Sequence, residues 1–457
     1  MSNGTSNIVD DVLFHNKNLA RVISLNRPGK LNSLNTSMVS KIYPRLVEYA
    51  KSDINNMIIL DSTSPKGLCA GGDVAEAAKE ILNDNSDYAV NFFKGEYNLN
   101  FLIGTYPKPF IALMDGITMG GGVGLSVHAP FRISTDTTKL AMPEMDIGFF
   151  PDVGTTFFLP RVDDKVGYYV ALTGTVLSGL DAYMLGFATH YVPRDRLGSL
   201  VNRLSNLQPP NQTNLSVSNQ KEYYQQINDI INEFTDTKLP KDYNYPFSTE
   251  QLIVIKEAFS QPTFDDVLKY LVDSSSQFAK ETLEKLLAKS PTSLRVGFEL
   301  MNQGAKNSLR KQLELELITA ANIMTLNPEI NDFVKGVKHK LIDKIKEPSL
   351  PEWSPVTDAV KLMTSSIEVG KLEKPLIHSV FNIDYVHYPY NFGVPKNNQI
   401  KSFINGTDTK RSYLPTVKEV YSHFKSDKLG TELKLQSTLE LHGDLQKYQS
   451  KYVSWVE

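Results

Sequence analysis

Short apolar runs alternate with amphipathic stretches over roughly the first 200 residues. Runs of aliphatic or β-branched residues that end in polar turn residues predict strands. Four of them stand out: LARVISLN (19–26), NMIILDS (56–62), FIALMDG (110–116) and FRISTD (131–136). Residues 36–52 instead repeat apolar side chains at helical spacing. Strands separated by helical stretches are typical of an α/β domain built from repeated βα units.

The pattern changes after residue 205. Residues 208–226 are rich in Asn, Gln, Ser and Pro, which predicts a linker or an exposed loop. Helical spacing returns from 249 to 345, before several prolines. We therefore expect five segments: a flexible N-terminus (1–11), an α/β core that carries the active site (12–205), a linker and loop region (206–248), a helical region that covers the site (249–345) and a C-terminal extension (346–457).

Composition excludes several classes of protein. The 457 residues include 48 Lys and Arg against 51 Asp and Glu, a net charge of −3, so the strong basic excess of an autonomous nucleic-acid binder is missing. A single cysteine, Cys69, excludes an intrachain disulfide and a cysteine-based zinc site. No run approaches the roughly 20 apolar residues of a membrane helix. The acidic N-terminus resembles neither a signal peptide nor a transit peptide.

Two glycine-rich segments are candidates for chemistry. LCAGGD (68–73) follows a predicted strand, and DGITMGGGVG (115–124) joins two predicted strands. Adjacent glycines let the backbone approach a ligand closely, and N–H groups from two separate loops are what a developing oxyanion needs. Either segment alone is equally typical of a tight turn. The second lacks the final glycine of a dinucleotide fingerprint and the lysine of a Walker A loop.

A third segment, AMPEMDIGFFPDVG (141–154), holds carboxylates in apolar surroundings. Such carboxylates tend toward a raised pKa and can act as an acid or base near neutrality. The alternative is that they cap helices or bind backbone N–H groups, and we assign Asp146 to that structural role. The neighbouring GLSVH (124–128) lacks the glycine pattern of a nucleophile elbow, which disfavours a Ser-His-Asp hydrolase. No metal-ligand spacing is present, so we predict no metal.

These three segments together, in this order and spacing, resemble the enoyl-CoA hydratase/isomerase (crotonase) superfamily, and in particular its 3-hydroxyisobutyryl-CoA hydrolase branch. The likeness begins at RVISLNRP (21–28), runs through LTG (172–174) and ATH (188–190), and resumes at SPTSL (290–294) and LIDK (341–344). It implies an α/β fold: a crotonase-like spiral of stacked ββα turns, followed by helices that cover the site or make subunit contacts, and here by a C-terminal extension.

The resemblance also implies a ligand and residue roles. The ligand would be an acyl-CoA thioester, so coenzyme A belongs to the substrate and no separate cofactor is expected. The backbone N–H groups of Gly72 and Gly121 would form the oxyanion hole. Glu144 would be the catalytic carboxylate, and Asp152 and Glu96 would line the acyl pocket.

The coenzyme would also meet backbone in this region. By the same resemblance, the chain around Leu68 and Ala70 would meet the adenine. Lys66 is a candidate contact for a CoA phosphate, with an exposed solvated lysine as the equal alternative.

One departure separates hydrolase from hydratase. Hydratases of this superfamily carry a second catalytic Glu just after the glycine cluster, where this sequence has Gly124. Hydrolysis of a thioester can proceed with one carboxylate and an oxyanion hole. Glu144 could act as general base on water or attack directly to give an anhydride, and the sequence leaves both open. A hydratase or isomerase is the weaker alternative.

The resemblance carries two expectations about biological role. The first is a mitochondrial enzyme that converts 3-hydroxyisobutyryl-CoA to 3-hydroxyisobutyrate and CoA in valine breakdown. The second is a structural component of the mitochondrial ribosome small subunit that keeps the hydrolase fold, a role known among fungal relatives of this branch. The two are compatible. The oligomeric state stays open.

The extension is where the second role would act. It could contact ribosomal proteins and RNA phosphates, or residues 412–426 could fold back as a helix on the core. The lysines available for RNA are Lys396, Lys401, Lys410, Lys418, Lys425, Lys428 and Lys434.

Overall fold

A computed structural model describes most of the chain. The described residues are 10–209, 217–346, 348–365, 372, 374–408, 411–425, 428–444 and 452–457. Residues 1–9 of the expected flexible N-terminus, residues 210–216 of the expected linker and Lys410 of the extension lie outside them.

The first sheet has six strands, and its centre is buried on both faces. In spatial order the strands are Val12–Lys17, Ala20–Leu25, Met57–Ser62, Phe110–Met114, Phe131–Ser134 and His190–Tyr191. The first pair is antiparallel and every later pair is parallel. Continuous apolar strands are typical of a parallel sheet covered on both faces. All four predicted strands are confirmed.

A second sheet of four shorter strands runs beside the first. Its order is Gly67–Cys69, Ile117–Met119, Lys139–Ala141 and Leu177–Ser178. The chain adds one strand to each sheet and then a helical stretch, three times in succession, so the expected spiral of stacked ββα turns is confirmed. Because Gly67–Cys69 and Ile117–Met119 pair in parallel, the loops that follow them emerge side by side.

The core helices differ in how much of their surface is buried, from one face in Thr36–Lys51 to every residue in Val166–Thr173. The helix Thr36–Lys51 begins at Asn35, whose side chain accepts a hydrogen bond from the Met38 N–H, and it buries residues at helical spacing against the sheet. The other helices of the first 205 residues are Val74–Leu82, Ser86–Gly104, Gly121–Gly124, Thr155–Phe158, Val166–Thr173, Gly179–Met184 and Leu197–Ser205.

The helical region follows the sequence pattern. Its helices are Thr249–Phe259, Phe264–Asp273, Gln277–Leu287, Pro291–Gly304, Leu309–Met324 and Asp332–Val337. Among the described residues, no helix combines the length and the apolar composition needed to cross a bilayer.

The expectation of a linker and loop over 206–248 is wrong for its middle part. Residues Val217–Glu233 form a helix that packs on the outer face of the first sheet. Tyr223, Ile227 and Ile231 are buried at four-residue intervals. Tyr224 and Ile230 are buried beside them, and because Gln, Asn and Asp fill the remaining positions between residues 223 and 231, the average composition of the segment concealed this apolar stripe.

The extension folds back onto the core. The Asn98 side chain donates to the Leu376 carbonyl at 3.1 Å and accepts from the His378 N–H at 2.7 Å. The Tyr388 hydroxyl donates to the Ala129 carbonyl at 2.7 Å. The helices of the extension are Ala359–Thr364, Asn397–Ile404, Val417–His423 and Thr431–His442. Within the segment 412–426, Val417–His423 form a helix, but its buried Val420 packs against other residues of the extension and not on the core.

The extension also has a small core of its own, which the sequence did not lead us to expect. Its buried members are Ile400, Phe403, Ile404, Val420, Leu435, Leu439 and Val453. These residues are spread over three helices and, with Val453, the segment just before the strand Ser454–Trp455, so no single apolar run marked them.

Two of the extension lysines expected at RNA phosphates are internal. Lys434 is buried and forms an ion pair of 2.9 Å with Asp163. Lys428 lies against His190, with 3.2 Å between the ammonium and Nε2. Burial lowers the pKa of Lys428 to about 7. Lys418 and Lys425 are exposed and remain candidates for contact with RNA phosphates.

We predict that packing of the extension stabilises the whole chain. Ile377→Ala removes a fully buried side chain and should lower the free energy of unfolding by about 2–5 kcal/mol. Ile383→Ala, at an exposed position of the same segment, is the matched control and should change it by about 0.5 kcal/mol or less. Urea unfolding followed by circular dichroism measures both. Equal effects of the two substitutions would contradict docking of the extension.

Candidate active site

The two glycine loops meet at their backbones. A Cβ placed on Gly121 would lie 3.2 Å from the Gly72 nitrogen. Neither the Gly72 N–H nor the Gly121 N–H donates to another backbone group of the described chain. Two N–H groups without internal acceptors, brought together from separate loops, form the geometry that binds an oxyanion.

Glycine is required at this junction. Gly120 has φ +47°, a conformation that favours glycine, and a Cβ there would lie 2.6 Å from Oε1 of Glu144. A Cβ on Gly121 would lie 2.4 Å from Oε1 of Glu96. The carboxylates of Glu144 and Glu96 therefore lie so close to the glycine backbone that no side chain fits at either glycine.

Three buried carboxyl groups share one cavity with these loops. Glu96 comes from the helix Ser86–Gly104, Glu144 from the short 3₁₀ turn Glu144–Ile147, and Asp152 from the loop after it. The cavity measures about 580 Å³, and Gly72 and Gly121 line it too. Four of the predicted site residues, Glu96, Gly121, Glu144 and Asp152, come from three separate segments of the chain, and the fold brings them together with Gly72.

Burial decides the protonation of these groups. The pKa values of Glu96 and Glu144 are raised well above the usual range, chiefly by burial and then by the charge of Asp152. Burial raises the pKa of Asp152 to about 7, against the opposing effect of the Tyr97 hydroxyl, which donates to its carboxylate at 2.8 Å. Like charges this close do not all ionise near neutrality, so protonated and ionised carboxyls coexist in the site.

Two carboxylate oxygens in the cavity have no internal partner. Oε1 of Glu96 and Oε2 of Glu144 are buried, and no hydrogen bond from the described residues reaches them. Buried polar atoms normally have a partner, and those that lack one are often functional. Both oxygens are available to a ligand.

The loop that carries Asp152 is held from two sides. The Gly154 N–H donates to the Glu316 carboxylate at 2.7 Å, and Thr156 bonds the same group. Nε2 of His128 lies 2.8 Å from the Val153 carbonyl. These contacts hold Val153 at φ +55°, which is strained for a β-branched residue.

Sequence reasoning missed Glu316, His128 and Tyr97 as supports of the site. Glu316 lies 160 residues from its partner Thr156, in a helix whose Leu and Glu residues look like any amphipathic surface. The spacing of residues carried no signal for it.

Val153 also explains the missing second carboxylate. A Cβ on Gly124 would lie 2.5 Å from Cβ of Val153. The space that a glutamate at position 124 would need is therefore filled by another side chain. The site therefore has no room for the second catalytic glutamate that hydratases carry at the position of Gly124.

The remaining predicted residues are placed unequally. Ala70 lines the cavity, whereas Leu68 is buried and its carbonyl accepts a hydrogen bond from the Asn32 amide at 2.9 Å. Lys66 is exposed and lies outside the residues that line the cavity. Asp146 lines the cavity and forms ion pairs with Lys289 and, at 3.3 Å, with Lys340. It is thus held by side-chain cations, not by the backbone groups we expected.

Three lysines that the sequence did not single out line the same cavity. They are Lys30 from a loop of the core and Lys340 and Lys344 from the end of the helical region. Cations at these places can neutralise phosphate groups of a ligand. No group of three or more His, Cys, Asp or Glu side chains in the described part is arranged to hold a metal ion.

The geometry agrees with what comparison of the sequence finds. The sequence model of the family described as enoyl-CoA hydratase/isomerase matches residues 20–363. The chain belongs to this family. Its expected fold and its likeness to the 3-hydroxyisobutyryl-CoA hydrolase branch are thereby confirmed.

Relatives within the enoyl-CoA hydratase/isomerase family have two kinds of name. "Small ribosomal subunit protein mS47" of Neurospora crassa is 39% identical over 427 residues, covering 89% of this chain and 80% of the relative. "3-hydroxyisobutyryl-CoA hydrolase, mitochondrial" of Homo sapiens is 37% identical over 351 residues, covering 76% and 84%. A crystal structure of a carnitinyl-CoA dehydratase from Mycobacterium thermoresistibile has 32% identity and a TM-score of 0.66, covering 78% and 97%.

We predict that a second carboxylate cannot be installed in this family member. Gly124→Glu forces a side chain into Val153 and buries a charge, so the free energy of unfolding should fall by at least about 3 kcal/mol. Gly198→Glu is the control, because a Cβ at Gly198 meets nothing within 4 Å. Urea unfolding compares the two. A Gly124→Glu variant as stable as the unmodified chain would show that the space at Gly124 is open.

Proposed function

We propose that this protein hydrolyses 3-hydroxyisobutyryl-CoA to 3-hydroxyisobutyrate and CoA. The observation that carries the proposal is the pair of glycine N–H groups, from Gly72 and Gly121, beside the buried carboxyl group of Glu144 in one cavity. Relatives named as mitochondrial 3-hydroxyisobutyryl-CoA hydrolases support it, and they support a mitochondrial location for this chain.

The reaction needs few groups. The thioester carbonyl oxygen accepts hydrogen bonds from Gly72 and Gly121, which stabilise the negative charge that develops on it. In one route, the Glu144 carboxylate takes a proton from water as the water oxygen bonds to the carbonyl carbon. In the other, Glu144 itself attacks and water then opens the anhydride. In both, the C–S bond breaks and CoA leaves as its thiolate.

The buried carboxyl groups suit two tasks: Glu144 acts as the base, and Glu96 and Asp152 bind the acyl group. An ionised Glu144 is a stronger base in this setting than in water, because burial destabilises its charge. Glu96 and Asp152 offer polar atoms to the acyl end, which fits an acyl group that carries a hydroxyl. A site that bonds a hydroxyl rejects the analogue without it, since its own polar groups are then left unpaired.

We predict that Glu144→Gln lowers the hydrolysis of 3-hydroxyisobutyryl-CoA at least about a hundredfold, because the base or nucleophile is lost while the shape is kept. Release of free thiol measures the rate, and calorimetry with CoA measures the remaining binding. Glu48→Gln, an exposed glutamate on the helix Thr36–Lys51, is the control and should leave the rate unchanged.

The same assay tests substrate choice. Isobutyryl-CoA should be hydrolysed more slowly than 3-hydroxyisobutyryl-CoA, and Asp152→Asn should narrow the difference. Normal turnover by the Glu144→Gln variant would show that Glu144 takes no part in the reaction. Equal hydrolysis of both thioesters by the unmodified protein would show that the pocket does not recognise the hydroxyl group.

The share of this chain that matches the relative named as a ribosomal protein favours a second function. A match that covers 89% of the chain necessarily includes part of residues 346–457. The hydrolase relatives match 74–78% of the chain, so each of those matches leaves a larger share of the chain uncovered than the 89% match does. The 89% match therefore includes more of the chain than the hydrolase matches do, and we infer a place for this chain in the mitochondrial small ribosomal subunit as the second candidate.

We predict that the chain co-sediments with mitochondrial small ribosomal subunits at about 50 mM salt. Lys418→Glu with Lys425→Glu should weaken association at about 150 mM salt, because the salt-dependent part of the affinity falls when fewer lysines reach RNA phosphates. Lys51→Glu, exposed on a core helix, is the control. A chain that stays at the top of the gradient at every salt concentration would contradict the ribosomal role.

A further inference from the structure

Four cationic side chains and one carboxylate line a small cavity between the core and the extension. The carboxylate, Asp163, pairs with one of the four, Lys434, and the other three form no ion pair with the described residues. The core contributes Arg132 and Arg161, and the extension contributes Lys396 together with the aromatic residues Tyr388 and Phe392. We call it the junction cavity. Its volume is about 40 Å³, and it is separate from the active-site cavity, with which it shares no lining residue.

Arg132 is almost fully buried, and its partners are neutral. Its guanidinium donates to the carbonyls of Ala129 at 2.9 Å, Gly186 at 3.2 Å and Phe187 at 2.7 Å. A fourth bond, of 3.3 Å, joins it to the Tyr388 hydroxyl. No carboxylate of the described chain forms an ion pair with it, so its charge is solvated by dipoles but not neutralised.

Arg161 is only partly buried, and its hydrogen-bond partners are again carbonyl groups. It donates to the carbonyls of Phe157, of Gly304 at 2.9 Å and of Val386 at 2.8 Å. Its guanidinium carbon lies 3.6 Å from the centre of the Phe157 ring, a contact that stabilises a cation without adding negative charge.

Lys396 completes the group. Within the described residues its ammonium has neither a hydrogen bond nor an ion pair. The acid that acts on it is Asp163, which already pairs with Lys434 at 2.9 Å and accepts from the Asn397 N–H at 3.0 Å. Burial lowers the pKa of Lys396, and the charges of Arg132 and Arg161 act in the same direction.

Such a cluster is costly unless something neutralises it. Buried charges in proteins are normally paired, because an unpaired charge loses its hydration without compensation. A water needs roughly 10–15 Å³ of such space, so the junction cavity has room for about three waters or one tetrahedral oxyanion.

We propose that the junction cavity binds a phosphate-type oxyanion, held by the Lys396 ammonium and by the second Nη2–H of Arg132, which has no acceptor among the described residues. Free inorganic phosphate and the phosphoryl end of a small ester share this chemistry. The anion bridges the strand Phe131–Ser134 of the core and the start of the helix Asn397–Ile404. Its binding therefore fastens the extension to the core.

Thermal unfolding in inorganic phosphate tests the site. With ionic strength held constant by chloride, phosphate should raise the unfolding midpoint in a saturable way, by roughly 3 °C or more at saturation. Phenyl phosphate, run in parallel, distinguishes a phosphate ester from the free ion as the ligand. An equal shift of the unfolding midpoint would assign the site to phosphate esters, and a smaller shift would assign it to free phosphate. No saturable shift with either compound would overturn the proposal.

Three variants locate the effect. Lys396→Met should abolish the phosphate-dependent shift and raise the midpoint in chloride, because it removes an unneutralised charge. Lys418→Met, exposed on the extension, and Lys340→Met with Lys344→Met, in the active-site cavity, should keep the shift. A shift of equal size in Lys396→Met and the unmodified chain would place the anion elsewhere and overturn the proposal.

A direct measurement remains if Lys396→Met does not fold. Equilibrium dialysis of the Lys340→Met, Lys344→Met chain with radiolabelled phosphate should find one bound phosphate per chain. Binding well below that ratio at saturating phosphate would overturn the proposal.

Discussion

Parallel pairing of two three-residue strands positions the whole candidate site. Gly67–Cys69 lies beside Ile117–Met119, with Gly67 opposite Ile117 and Cys69 opposite Thr118. The register places Gly72 against Gly121, and with them two N–H groups that no other backbone group of the described chain accepts. A slip of one residue would turn every side chain of the strand to the other face and separate the two amides.

The carboxyl groups opposite these amides come at a cost to stability. Their pKa values are raised in the folded chain, so their contribution to stability is present at low pH and is lost as the pH rises through the folded values. For Asp152 that loss begins near the ordinary pKa of 3.8 and is complete above the folded pKa of about 7. Bonds from Tyr97 to Asp152 and from Gly154 to Glu316 limit the cost, and the surrounding helices and the extension offset the rest.

The sequence predicted those parts of the fold and site that local pattern controls. The strands at 20–25 and 57–62 could be predicted because continuous aliphatic runs identify buried parallel strands. The helix Val217–Glu233 was missed because its short apolar stripe lies amid many Gln and Asn residues. Glycine loops and acidic residues stood out by residue type, so the resemblance could assign Gly72, Gly121 and Glu144. Glu316 acts on residues far away in sequence, and no local spacing points to it. Lys396 was expected only as a contact for RNA, because its place beside Arg132 and Arg161 depends on residues distant in sequence.

The proposed chemistry depends on a buried carboxyl group with a raised pKa that acts on a thioester held by paired glycine amides. The decisive measurement is single-turnover hydrolysis of 3-hydroxyisobutyryl-CoA as a function of pH, in the unmodified and Asp152→Asn proteins. We expect a rate that rises with pH along a limb well above 4.5, and a limb shifted to lower pH in Asp152→Asn, because the charge of Asp152 helps to raise the pKa of Glu144. A rate with no rising limb above about pH 5, or no hydrolysis of a thioester that binds, would contradict this chemistry.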